Sequence, residues 1–228
     1  QDNRDASKDL KIEINRLKEQ AVQGLVIDLR NNGGGSLKTV VDMAGMFIES
    51  GPVVQVKYFD KEKQVLRDRD RSILWNGPLV ILVNEGSASA SEILAAAMQD
   101  YERAIIIGGN QTWGKGTVQN VFPLNRMVRG NTKGDLGALR YTTQKYYRVN
   151  GGSVQLEGVK SDINLPFRYK YLDFGEKDSE NPLQWDEIEN INYKKWNSNF
   201  DFDFAIKNSQ KRIKESEHLK LVDENAKW

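Results

Sequence analysis

Residues 78–109 read "PLVILVNEGSASASEILAAAMQDYERAIIIGG", and this stretch limits the possible folds more than any other. The run "PLVILV" reads as a buried strand, being short, apolar and β-branched. Ile93, Leu94, Ala97 and Met98 then recur at helical spacing, and "AIII" is a second apolar strand. The result is a strand-helix-strand unit. Upstream, Leu10, Ile14, Leu17 and Ala21 fall at i, i+4, i+7 and i+11, an amphipathic helix ending near Gln23-Gly24. "GLVIDLR" (24–30) is a strand. A second helix presents Leu37, Val40, Val41, Ala44, Phe47 and Ile48 on one face, with Ser36 at its N-cap. Alternating strands and helices argue for an α/β core.

Further along, "GPVVQVKY" (51–58) is a strand and the charged stretch 60–71 an exposed hairpin or loop. "NQTWGKGTVQNVFPL" (110–124) is a glycine-flanked loop running into a strand. "ALRYTTQKYYRVNGGSVQLEGV" (138–159) reads as strand, turn at Asn150-Gly151-Gly152, and strand. After about Leu165 the sequence turns aromatic and polar, ending in a charged helical segment over 205–225.

Composition removes several kinds of chemistry. With 39% hydrophobic and 29% charged residues, the 228-residue chain has a core to bury. A net charge of +1 gives no basic footprint for nucleic acid. No apolar run approaches membrane-spanning length. The chain opens on Gln1, so it reads as a processed or trimmed piece. Zero cysteines exclude a thiol nucleophile, disulfides and thiolate metal sites. The single histidine, His218, lies in the polar tail, away from any motif. A hydroxyl activated here needs another base.

Three glycine-marked turns are candidates. Gly33-Gly34-Gly35 lacks both the dinucleotide spacing and a phosphate-binding lysine. It is either a tight turn capped by Ser36 or a loop whose bare N–H groups approach a ligand. "SASASE" (87–92) fits an S-x-x-E capping box, with Ser89 at the N-cap and Glu92 reaching back. First-turn N–H groups have no helical partner, so they can bind an oxyanion. Ser89 is thus either a plain cap or the serine best placed for attack. Gly114-Lys115-Gly116 holds either a solvated lysine or one buried beside Trp113 and neutral enough to take a proton. Gln119, four residues on, could hold its amine. A serine, a lysine and backbone donors together form a known alternative to the histidine triad.

"IDLRNNGGG", "GSASASEILAAAMQDYERA", "TWGKGTVQ" and "YYRVNGGSVQLEGVKSDI" resemble, in order and spacing, the tail-specific or C-terminal processing serine peptidases of the Prc type. "NPLQWDEI" resembles the C-terminal extension of that branch. The resemblance implies a crotonase-like/ClpP-like β-α spiral core over 1–165 and a partly helical extension over 166–228. It implies Ser89 as nucleophile, Lys115 as general base and Gln119 as positioner of the lysine. Gly35 and Ala90 would supply the oxyanion-hole N–H groups, so a larger side chain at 35 is expected to depress turnover. Glu92, Asp100 and Thr112 match supporting positions. No metal or organic cofactor is implied. The implied substrates are polypeptides with accessible C-terminal tails, in the cell envelope or periplasm; neither adaptor nor membrane association follows. Ser89 to Lys115 spans one residue more than the common family spacing, which "GGNQT" (108–112) can absorb. The family places a PDZ-like module ahead of this core. The two glycine loops look mobile by composition, so a core without that module is expected to be folded but weakly active. Two rival readings are a non-catalytic binding module on the same fold and a crotonase-type acyl-CoA enzyme.

Overall fold

The computed structural model describes residues 5–59, 61–172, 174–197 and 200–228; Gln1 and Asp60, both named above, lie outside the described residues. Helix α1 (Ala6–Glu19) starts on Asp5, whose carboxylate accepts the Ser7 N–H, and turns Ile14 into the core. It ends sooner than its apolar spacing suggests, because the chain turns at Ala21 with φ +53°. Strand β1 (Leu25–Asp28) leads to the glycine loop and helix α2 (Leu37–Gly45), with Ser36 at the N-cap. β2 (Gly51–Tyr58) is the expected strand, and part of the charged stretch read as a hairpin or loop is β3 (Gln64–Asp68), which pairs back on it antiparallel. β4 (Leu79–Val83), α3 (Ala90–Asp100) and β5 (Ile105–Gly108) form the strand-helix-strand unit. β6 (Thr117–Pro123) and β7 (Ala138–Tyr147) are antiparallel, and β8 (Ile163–Asn164) is a short final strand. Helices α4 (Phe202–Glu215) and α5 (Glu217–Asn225) close the chain, divided where Ser216 caps α5. No helix among the described residues is long and apolar enough to cross a membrane.

The fold is mixed α/β. One sheet is parallel, in the order β1-β4-β5-β8; the other is antiparallel, in the order β3-β2-β7-β6. Helix α3 touches β5 of the first and β2 of the second. That position explains its sequence. A helix between two sheets is buried on nearly every side, and Ala95, Ala96 and Ala97 are small enough to let both approach.

Topology also decides where the three turns meet. β1, β4 and β5 are adjacent and parallel, so their carboxyl ends share one edge of the sheet. The glycine loop leaves β1 there, the serine turn leaves β4, and the Lys115 loop leaves β5. This is where open parallel sheets place their ligands.

One expected element is absent. Apart from the isolated bridges Tyr147–Ser153 and Gly152–Glu187, residues 150–159 form no strand. β7 already pairs with β2 and with β6, so no edge is left for a further strand. Residues 154–159 fold into a turn instead, with Gly158 N–H on the Val154 carbonyl at 2.8 Å and Leu156 at φ +65°. That turn packs against the Lys115 loop.

Candidate active site

The three serines have three different fates. Ser87 is fully buried: its Oγ donates to the Leu29 carbonyl at 2.8 Å and accepts the Asn84 N–H at 3.0 Å, tying the turn to the end of β1. Ser91 is buried, with Oγ on Asn32 Oδ1 at 3.0 Å. Ser89 is half-buried and sits at φ +58°, ψ −116°, a conformation that costs a non-glycine residue about 1–3 kcal/mol. Ser89 and Glu92 are arranged as a capping box. The Glu92 carboxylate takes the Ser89 N–H at 2.7 Å, while the Ser89 hydroxyl makes no cap hydrogen bond of full geometry.

The glycine loop is tied to that turn by three asparagines that motif reading passed over. Asn31 and Asn84 pair reciprocally: Asn31 N–H donates to Asn84 Oδ1 at 2.8 Å, and Asn84 Nδ2 donates to Asn31 Oδ1 at 2.9 Å. The Asn32 carbonyl accepts Ala88 N–H at 3.0 Å, and its Oδ1 accepts Gly34 N–H at 2.9 Å. Gly35 and Ala90 both line a cavity of about 100 Å³ beside the serine turn, and neither N–H donates within the chain among the described residues. Both N–H groups are therefore free to donate to an acceptor from outside the chain.

Within the glycine loop the tight fit is at Gly34, not Gly35. A Cβ at Gly34 would lie 2.6 Å from the Ala88 oxygen and 2.7 Å from the Ala90 nitrogen, at φ +99°. One at Gly35 meets nothing within 4 Å. Gly34→Ala should therefore cost about 1–3 kcal/mol from backbone strain alone, whereas Gly35→Ala should stay within about 0.5 kcal/mol. Urea unfolding of the two variants checks this. Equal stabilities would mean that the serine turn gives way to the methyl group.

The Lys115 loop was expected to be mobile, yet every peptide group of residues 114–116 is engaged. Glu92 Oε1 accepts Gly114 N–H at 2.7 Å, and Oε2 accepts Lys115 N–H at 3.0 Å. Gly116 N–H donates to buried Gln155 Oε1 at 2.9 Å. The carbonyls of Gly114, Lys115 and Gly116 accept from Leu156 N–H, Tyr146 hydroxyl and Tyr146 N–H respectively. Composition misleads here because the restraints come from residues distant in sequence.

Glu92 is the hub. It also accepts the Thr112 hydroxyl at 2.6 Å, so one fully buried carboxylate holds donors from Ser89, Thr112, Gly114 and Lys115. Burial pushes its pKa up to about 6, and those four hydrogen bonds oppose the rise. Thr112, fully buried, accepts the Val159 N–H at 2.7 Å. Half-buried Lys115 and exposed Gln119 line one cleft of about 530 Å³, with Gly33 and Ala88 from the glycine and serine turns on its wall. The C-terminal part contributes Glu176 and Leu183 to the same cleft.

Asp100 lies elsewhere, at the far end of α3, about 15 Å along the axis by the usual rise per residue. A carboxylate at a helix C-terminus is unfavourable, and burial raises its pKa; Arg148 opposes this with Nη2 on Oδ1 at 2.6 Å and Nε on Oδ2 at 3.1 Å. His218 sits exposed on α5.

Two family models match the chain: peptidase family S41 over residues 2–165, and the C-terminal domain of tail specific protease over residues 169–228. The tail-specific protease of Haemophilus influenzae is 47% identical over 187 residues, covering 82% of this chain and 27% of that protein. The carboxy-terminal-processing protease of Bartonella bacilliformis is 40% identical over 158 residues, covering 67% and 34%. The chain thus spans about a third or less of these relatives' lengths. Among solved structures, the photosystem II D1 C-terminal processing protease superposes with a TM-score of 0.61 at 33% identity, covering 72% of this chain and 40% of that one. Mature CPAF shares the fold, with a TM-score of 0.58 at 15% identity, covering 71% and 42%.

Proposed function

Because the chain belongs to peptidase family S41, with the C-terminal domain of tail specific protease following the peptidase part, we propose that it carries the catalytic machinery of a serine endopeptidase acting on polypeptides with accessible C-terminal tails. The observation that carries this reading is the shared carboxylate of Glu92, which holds strained Ser89 and the Lys115 loop against each other. We read the core as the crotonase-like/ClpP-like spiral and place the protein in the cell envelope, on the periplasmic side, acting on envelope proteins.

Ser89 Oγ attacks the scissile carbonyl carbon while the unprotonated Lys115 amine takes the hydroxyl proton. The tetrahedral oxyanion forms against the N–H groups of Gly35 and Ala90, each donor of this kind being worth about 3 kcal/mol. Lys115 returns the proton to the departing amine. A water molecule, deprotonated in turn by Lys115, then attacks the acyl-Ser89 ester, and collapse releases the acid and restores both residues. Gln119 orients the lysine from the same cleft wall. Glu92 and Thr112 hold the frame, and Asp100 acts through the end of α3. The chemistry calls for no metal or organic cofactor and no nucleic-acid partner.

Labelling tests the reading. A fluorophosphonate should modify the chain at Ser89 alone, and Ser89→Ala should leave it unmodified by mass spectrometry. Modification at another serine, or none, would favour a non-catalytic binding module on this fold.

A further inference from the structure

Tyr146 has no role in the mechanism as described, yet its phenol touches the main chains of both Ser89 and Lys115. It is almost completely buried on β7, the strand beside β2 and β6. Its hydroxyl donates to the Lys115 carbonyl and stands 3.2 Å from the Ser89 carbonyl. Glu92 makes the complementary pair of contacts, taking the N–H groups of the same two residues at 2.7 and 3.0 Å. Ser89 and Lys115 are therefore gripped twice, by a carboxylate on their N–H groups and by a phenol at their carbonyls. No other part of the chain restrains both backbones at once among the hydrogen bonds of the described residues.

We infer that Tyr146 is a positioning residue for the proposed Ser-Lys pair: its hydroxyl sets the separation of nucleophile and base by bridging their two main-chain carbonyls. The inference rests on the Ser89-Lys115 reading. A phenol has a single proton, so bridging two carbonyls requires both to converge on it. Moving either residue away forfeits one contact, and the Lys115 carbonyl has no other hydrogen-bond donor among the described residues, whereas the Ser89 carbonyl keeps the Ile93 N–H at 3.0 Å. Ser89 needs such a restraint more than most residues, because its left-handed backbone would otherwise relax. Burial and the neighbouring Glu92 carboxylate push the phenol's pKa well above its ordinary value, so it stays a proton donor across the working pH range.

The test compares Tyr146→Phe with Tyr147→Phe. Tyr147 is the next residue of β7 and is also buried, but its hydroxyl makes a single hydrogen bond, to Asp186 Oδ2 at 3.0 Å, on the side away from Ser89. Both variants lose one hydroxyl from the same strand, so the comparison separates the contacts to Ser89 and Lys115 from the loss of a β7 phenol as such, and thermal unfolding reads the structural cost of each. Fluorophosphonate labelling of the chain (kinact and KI) and turnover of denatured casein (kcat and KM) are measured beside thermal unfolding. Tyr146→Phe should lower kinact and kcat about ten- to a hundredfold with KI and KM within about twofold, as expected for a small misplacement of reacting groups. Tyr147→Phe should leave all four unchanged. Unaltered kinact and kcat in Tyr146→Phe overturn the inference, as does a loss of fold in Tyr146→Phe alone, since the hydroxyl would then serve stability. Retained labelling and turnover in Ser89→Ala would instead sink the Ser-Lys reading itself.

Discussion

Lys115→Arg is expected to lose turnover by about three orders of magnitude while folding as the wild type does. Removing a general base typically costs about 10²–10⁴-fold, and a guanidinium stays protonated at any working pH, so it cannot accept the serine proton. The backbone of residue 115 should not move, because its N–H and carbonyl are held by Glu92 and Tyr146 whatever the side chain. The cleft of about 530 Å³ beside it has room for the longer head group. The loss should therefore appear in kcat, with thermal unfolding unchanged. Appreciable turnover by Lys115→Arg would assign the base elsewhere, and a parallel loss in His218→Ala would point to the histidine.

Glu92→Gln should damage stability and activity together. The carboxylate accepts four hydrogen bonds, two on each oxygen. A carboxamide keeps one oxygen and turns an NH₂ towards donors that need an acceptor. Two buried donors left unpaired cost about 2–6 kcal/mol in all, and loosening the frame around Ser89 and Lys115 should lower kcat about tenfold or more. The pH dependence separates this residue from the others. Its folded pKa of about 6 lies above its ordinary 4.5, so between those values the native state binds the proton more tightly than the unfolded chain. Its contribution to stability therefore falls as pH rises from 4.5 to about 6, by about 2 kcal/mol in total, and is flat on either side. Activity should move the other way over the same window, because only the ionised carboxylate can accept all four donors. Subtracting the Glu92→Gln stability profile from that of wild type isolates the slope. A flat difference between pH 4 and 7 would mean that Glu92 titrates normally.

Much of the fold was legible locally. Branched apolar runs marked β1, β4 and β5, and apolar spacing marked α1, α2 and α3, because a buried strand and an amphipathic helix each impose a period on the sequence. The capping box at Ser89 and Glu92 was legible for the same reason: both partners lie within one helical turn. The expected strand after Asn150-Gly151-Gly152 failed because its formation depended on a free sheet edge, and β2 and β6 occupy both edges of β7. The tightness of the Lys115 loop was illegible too, since Gln155 and Tyr146 lie 39 and 31 residues from the groups they hold.

By itself, then, the sequence determined most of the elements, the residue types available for chemistry and the three turns that could carry it. With no cysteine and one remote histidine, a serine and a lysine were the pair left to consider. Only the tertiary structure decided that the carboxyl ends of β1, β4 and β5 bring those turns to one edge. It alone made Glu92 a four-donor hub, made Gly34 the crowded glycine and set the Tyr146 phenol between two carbonyls. The physical reason is range. Propensity and periodicity act within a few residues, whereas a buried polar group takes whatever partner the packing of distant segments brings within hydrogen-bonding reach.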